Sequence, residues 1–386
     1  MTSRVSSGLE VLLRDAHPLV GGRRVALLTH PAAVDRDGRS AVDLLSADRR
    51  WTLTALFGPE HGVRGDAQAG VHVASGVDAQ SGLMAYSLYG ATRVPTDEML
   101  AGVETIVIDL QDIGVRYFTY PATVVGCIEA AAARGIDVVI LDRPAPLTGG
   151  HIEGGLLLEA QRSFVGVHTV PIRHGLTLGE LARLVALERG LPAPAVIPGE
   201  GWRRAAWHDE TGLPWCPPSP NLPSLDAVLL YVGTCLIEGT NVSEGRGTDG
   251  PFATVGAPWI DPEELRRRFG DRHLPGLAVR AAVFRPTMSK HAGERCGGVE
   301  LSVTDRAALR PAELGLALLE DLIAVSGERF EWRDAAFDRL AGDPAVRRTL
   351  NERASLGSLI ERWQHDARDF AQRRAPHLLY GDDGLS

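Results

Sequence analysis

The chain has 386 residues, a formal net charge of −9, 44% hydrophobic and 23% charged residues. That length favours two domains over one core, and the composition is that of a globular protein. The acidic balance gives no electrostatic footing on nucleic acid or on an anionic membrane, so neither is an expected partner.

No apolar run reaches the roughly 18 residues that a spanning helix needs. Arg4, Glu10, Arg14 and Asp15 interrupt the N-terminus where a signal peptide would be unbroken, so a cytoplasmic location is the expectation. Cys127, Cys216, Cys235 and Cys296 are far apart with no C-x-x-C pair, and read as thiols in place of a disulfide or zinc framework. Lys290 is the single lysine, every other basic residue being arginine.

In chain order, apolar runs at Val25–Thr29, Leu53–Phe57, Thr105–Leu110 and Val138–Leu141 read as strands. Helical stretches alternate with them at Ser40–Ser46, Pro95–Leu100, Thr119–Arg134 and Leu176–Arg189, with a long Gly-rich loop before Leu83. Continuous β-branched runs between helices predict strands buried on both faces, hence a doubly wound α/β unit with a mostly parallel sheet. The proline-dense Pro214–Pro223 cannot be regular structure, and a boundary is expected near Ala227, giving units 1–227 and 228–386. Beyond it, helices at Pro262–Phe269, Pro311–Val325 and Ser355–Arg373 and strands at Leu277–Phe284 and Val299–Val303 predict a smaller α+β domain.

The polar residues gather where the strands stop. The four strands run into His30, into Glu60 and His61, into Gln111 and Asp112, and into Asp142 and Arg143. Open parallel sheets bind ligands outside the carboxyl ends of their strands, so these four ends predict one cleft. The loop FGPEHGVRGDAQAG is the richest: Pro59 stiffens the approach to Glu60, and Gly58, Gly62 and Gly65 permit close or left-handed backbone. A carboxylate held in this way suits general acid work. There is no G-x-G-x-x-G, no P-loop, no G-x-S-x-G elbow and no H-E-x-x-H, so no cofactor is expected. A metal site built from His30, His61, Asp112 and His174 would lack ligand spacing, so no metal is expected either.

Longer motifs add a resemblance. FGPEHGVRGDAQAG, IDLQDIGVRYFTY, LDRPAPLTGGHIEG, PIRHGLTLGELA, PSPNLPS, GTCLIEGTNVSEGRGT, GAPWI and SKHAGERCGGVELSVTDR together resemble the NamZ family across nearly the whole chain. The resemblance implies an exo-acting β-N-acetylmuramidase that releases N-acetylmuramic acid from the non-reducing ends of peptidoglycan fragments or of MurNAc-GlcNAc. It also implies a Rossmann-like N-terminal domain, a smaller C-terminal domain and a cleft between them.

That substrate carries a lactyl carboxylate, which calls for a cation. Arg64, Arg116, Arg143, Arg173, Arg246 and Lys290 stand at motif positions, and the lone Lys290 is singled out among them. Arg116 with Tyr117, and Tyr120, offer a sugar-stacking surface; His174 lies in the PIRHG motif beside Arg173. Glu60 is the expected general acid. Glu153 is first choice for the second group, with Asp112 and Glu238 next; Asp112 or Asn241 could instead orient the substrate's own acetamide. The competing readings are a metal-dependent amidase or esterase in the same cleft and a non-catalytic protein binding cell-wall fragments.

Overall fold

The computed structural model describes residues 4–65 and 74–381. The first half begins with α1 (Gly8–Asp15), which is closed by a capping box between Ser7 and Glu10. It continues through β1 (Arg24–Thr29), α2 (Ala41–Ala47), β2 (Thr52–Gly58), β3 (Gly76–Val77), β4 (Met84–Ser87), β5 (Thr105–Asp109), α3 (Tyr120–Ala132), β6 (Asp137–Leu141), α4 (Leu178–Glu188) and β7 (Ala195–Ile197). These strands form one sheet in the order β3-β4-β2-β1-β5-β6-β7, parallel except for the β3–β4 pair.

Alternation explains why the strand runs are apolar throughout. Ala26 and Leu28 of β1, Ile106 and Ile108 of β5, and Val138 and Ile140 of β6 enter one hydrophobic cluster. Their neighbours Val25, Leu27, Val107, Val139 and Leu141 enter a second cluster on the other face. A period of two with both faces covered leaves no position for a polar side chain until the strand ends.

Two expectations of regular structure change. Residues 95–102 make a turn, not a helix: one amide, Leu100 N–H to Thr96 O (3.1 Å), bonds in helical fashion before Gly102 at φ 73° ends it. The stretch expected to be a loop up to Leu83 contains β3, with β4 directly after it; residues 66–73, which include the last five of its motif, lie outside the described residues.

The second half holds α5 (Leu225–Thr234), β8 (Thr254–Ala257), α6 (Pro262–Gly270), β9 (Leu277–Phe284), β10 (Cys296–Val303), α7 (Pro311–Ser326), α8 (Asp334–Ala341), α9 (Pro344–Asn351) and α10 (Gly357–Arg374). β8, β10 and β9 form an antiparallel sheet in that order. The position expected for the boundary, near Ala227, falls inside α5, whose buried residues share the larger cluster with the first-half strands. No helix among the described residues is long and apolar enough to cross a membrane.

Candidate active site

β1 pairs with β2 on one side and with β5 on the other, so the chain reverses direction across the sheet at β1. The crevice above such a point is where open α/β sheets place ligands. Directly after β2, Glu60 stands on a tight turn closed by Gly62 N–H to Pro59 O (3.0 Å). His61 (φ 75°) and Gly62 (φ 77°) are both left-handed, the first at a cost that a non-glycine residue bears only where its surroundings hold it.

Thr119 follows β5 and precedes α3. Its hydroxyl makes no capping bond to α3 and instead donates to Glu60 Oε2 at 2.8 Å. The Tyr89 hydroxyl, just beyond β4, also bonds Glu60, and burial together with the Glu60 charge pushes that phenol up to about 12.

Glu60, Tyr89, Tyr117 and Thr119 form one wall of a cleft of about 350 Å³. The second half supplies the opposite wall with Tyr231, Glu238, Glu244, Arg246, Lys290 and Arg333. A 3-10 turn at Cys235–Gly239 continues α5 and carries Glu238. Arg246 bonds Glu238 Oε1 through Nη2 (2.6 Å) and Nε (3.1 Å) and lies 3.3 Å from Glu244 Oε1. Its guanidinium also sits 5.0 Å over the Phe252 ring. Lys290 donates to the Ile237 and Val242 carbonyls (2.9 and 2.8 Å) and pairs with Glu244 Oε2 at 2.9 Å. The result is an alternating row Glu238–Arg246–Glu244–Lys290. Burial raises the Glu238 pKa, with the Glu244 charge, against the pull of Arg246 and Lys290.

The cleft therefore gathers Glu60, Tyr117, Glu238, Arg246 and Lys290 of the residues picked from the sequence. Others are drawn into the framework. His30 is buried: Nε2 accepts the Gln111 amide (2.9 Å), so the proton sits on Nδ1, which donates to Tyr120 Oη (3.1 Å). The Tyr120 hydroxyl in turn donates to Pro218 O at 2.8 Å, and burial holds the ring's pKa well below the ordinary histidine value. Gln111 spends its amide group on the Asp112 and Pro144 carbonyls. Asp142 accepts from Thr177, Tyr380 and the Gly179 amide, fixing the start of α4. Arg143 makes a bidentate pair with Asp109 (2.5 and 2.9 Å). His174 is fully buried, its Nδ1 accepts the Leu176 amide, and burial pulls its pKa down to about 3. Asp112 and His61 are buried and do not line the cleft.

Glu153 lies elsewhere. It pairs with Arg173 at 2.6 Å and lines a separate cleft with His151, Glu313 and Trp363. The second carboxylate facing Glu60 is Glu238, which the sequence placed behind Glu153. Arg64 bonds Asp78 through Nε and Nη2 (2.8 and 2.9 Å), and Arg116 spends both terminal nitrogens on four backbone carbonyls. Asn241 ties its amide to Arg329 O and the Glu331 amide, away from the cleft. Sequence reasoning missed Tyr89, Thr119, Tyr231, Glu244 and Arg333. Thr119 and Glu244 stood inside quoted motifs, but nothing local marked the others. Among the described residues no group of three His, Cys, Asp or Glu side chains could hold a metal ion.

Comparison with known proteins agrees with this geometry. The model of the N-terminal part of exo-β-N-acetylmuramidase NamZ matches residues 25–226, and that of its C-terminal part matches residues 229–380. The chain belongs to the NamZ family. The peptidoglycan β-N-acetylmuramidase NamZ of Bacillus subtilis (strain 168) is 43% identical over 98% of this chain and 92% of its own length. Two DUF1343 family proteins of Bacteroides fragilis with crystal structures share the fold. One has a TM-score of 0.90 at 33% identity over 98% of this chain and 99% of its own; the other has 0.79 at 30% over 98% and 100%. NamZ membership makes the chain a glycosidase, as its motifs implied, and displaces the amidase and non-catalytic readings.

Proposed function

We propose that this NamZ protein hydrolyses the terminal N-acetylmuramide bond of small peptidoglycan fragments, with Glu60 and Glu238 as its catalytic carboxylates. The observation that carries the reading is the meeting of these two acids, one from each half of the chain, in a single cleft. At about 350 Å³ the cleft is near the small end of ligand sites, roughly 300–1,000 Å³, which suits one terminal sugar better than a length of glycan.

Protonation separates the two roles. Two hydroxyls, Thr119 and Tyr89, donate to Glu60 and hold its carboxylate in place. Glu238 is held toward its neutral form by burial, and both Arg246 bonds land on Oε1. Glu238 is therefore the proton donor to the departing glycosidic oxygen, and Glu60 assists at the anomeric carbon. The C1–O bond breaks as the Glu238 proton reaches the leaving oxygen. Water supplies hydroxide to C1, and its other proton returns to the carboxylate pair. This exchanges the role first expected for Glu60.

Leaving-group dependence tests the assignment. Glu238→Gln should slow cleavage of a MurNAc-GlcNAc disaccharide about 10²–10⁴-fold, and a nitrophenyl muramide, whose leaving group needs no proton, much less. Glu60→Gln should slow both. Near-normal turnover by the Glu60 variant would remove that residue from the mechanism. Equal losses on the two substrates for the Glu238 variant would remove Glu238 as the donor.

A further inference from the structure

N-acetylmuramic acid differs from N-acetylglucosamine by a lactyl ether whose carboxylate is ionised at neutral pH. The cleft already holds three carboxylates, Glu60, Glu238 and Glu244. An anionic sugar entering beside them requires a cation with donors to spare.

The six cations marked in the sequence are already engaged. Arg64, Arg143 and Arg173 are paired with Asp78, Asp109 and Glu153, and Arg116 is spent on carbonyls. Arg246 keeps a buried Nη1 without a hydrogen-bond partner, but its charge is already offset by two carboxylates, Glu238 and Glu244. An ammonium has three donors, and Lys290 has three acceptors around it: Ile237 O, Val242 O and Glu244.

Arg333 is different. It lines the same cleft and is exposed, and its side chain has no hydrogen-bond or ion-pair partner among the described residues. Its charge reaches the row opposite Glu60: burial lowers the pKa of Lys290, and the Arg333 charge adds to that. Its backbone is pinned on both sides: the amide donates to Gly239 O (2.8 Å), and the carbonyl accepts from Ala336 and Phe337 (2.8 and 2.9 Å). A fixed backbone carrying an unspent planar fork at the cleft wall is the arrangement for bidentate carboxylate capture.

We propose that Arg333 binds the lactyl carboxylate and sets the preference for muramides over glucosaminides. The inference rests on the reading of the cleft as the sugar site. Arg333 joins the turn that carries Glu238 through its bond to Gly239, so the same contact aligns the sugar with the proton donor.

The test uses the full-length enzyme with three nitrophenyl β-glycosides: the muramide, its lactyl methylamide and the glucosaminide. In Arg333→Ala the ratio of kcat/KM for the muramide over the methylamide should fall on the order of 10- to 100-fold, mainly through KM. Arg333→Lys should restore part of it, and thermal melts establish that both variants are folded. Titration of MurNAc into Glu60→Gln protein, with and without Arg333→Ala, reads binding without turnover and should show the same loss. An unchanged muramide-to-methylamide ratio would overturn the assignment even if Glu60 proves essential. Glu60→Gln activity near normal would instead overturn the site reading on which it rests.

Discussion

Asp112 shows how burial, not proximity to substrate, sets a residue's chemistry. It lies at the end of β5, is buried, and accepts the Gly114 amide at 2.9 Å on Oδ2, while Oδ1 has no partner. Burial raises its pKa to about 7, against about 3.9 for an unfolded aspartate. The folded state therefore keeps a proton that the unfolded chain has lost, and this favours folding less as pH rises from about 4 to 7. Asp112→Asn removes that slope. Its stability relative to wild type should improve between pH 5 and pH 8 by about 2–3 kcal/mol, read from denaturant midpoints at the two pH values. A constant difference would mean that Asp112 is ionised throughout. Lys290 carries the complementary lesson: three acceptors converge on one point, which suits a compact ammonium and not a planar guanidinium.

Elements aim the site more than loops do. Glu238 follows α5, and α5 crosses α7 at two glycines. A Cβ at Gly233 would fall 2.0 Å from Pro311 O, and one at Gly315 would fall 2.5 Å from Gly233 O. The helices therefore touch backbone to backbone, and neither can shift without moving the turn beyond Thr234. Gly233→Ala should cost about 1–3 kcal/mol, or more, and should also lower turnover by displacing Glu238. Gly270→Ala, at the end of α6 with open space around it, is the control and should leave the melting temperature within a degree or so. Melts and rates on the two variants decide it; equal behaviour would mean that the crossing does not position the acid. Thr119 is the other case, since a residue that precedes α3 gives its hydroxyl to Glu60 and the helix begins without that cap.

At the scale of the molecule the halves are joined by shared hydrophobic packing and by buried cations. The larger hydrophobic cluster runs from Ala26 and Ile106 in the sheet to Leu319 and Trp363 in the C-terminal helices. Arg116 bridges the same seam, donating to Gly155 and Val170 in the first half and to Leu340 and Ala341 of α8 in the second. Burial lowers even this guanidinium to about 10. Calorimetry of the wild type should give one cooperative transition. Arg116→Met strands four buried carbonyls and should lower stability by about 3–5 kcal/mol, with activity lost as the two walls part. Two resolved transitions in the wild type would show the halves to be independent.

The doubly wound sheet was legible because apolar runs with period two and helical stretches between them are local patterns. Glu60 was legible for a related reason: proline, glycine and a carboxylate directly follow a strand that ends at the face where ligands bind. The pairing across the cleft was not. Glu153 and Glu238 look alike in sequence, each beside an isoleucine and a glycine, and only the packing of α5 against α7 turns one toward Glu60 while Arg173 takes the other. Cations behave in the same way. A sequence shows that an arginine is charged but not whether a carboxylate elsewhere in the chain has claimed it. The place of Glu60 after β2 follows from local order, while the other strand ends expected in the same cleft turned into the framework. Which charges remain unspent inside the cleft, Arg333 among them, follows from contacts between distant segments, and the tertiary structure alone decides those.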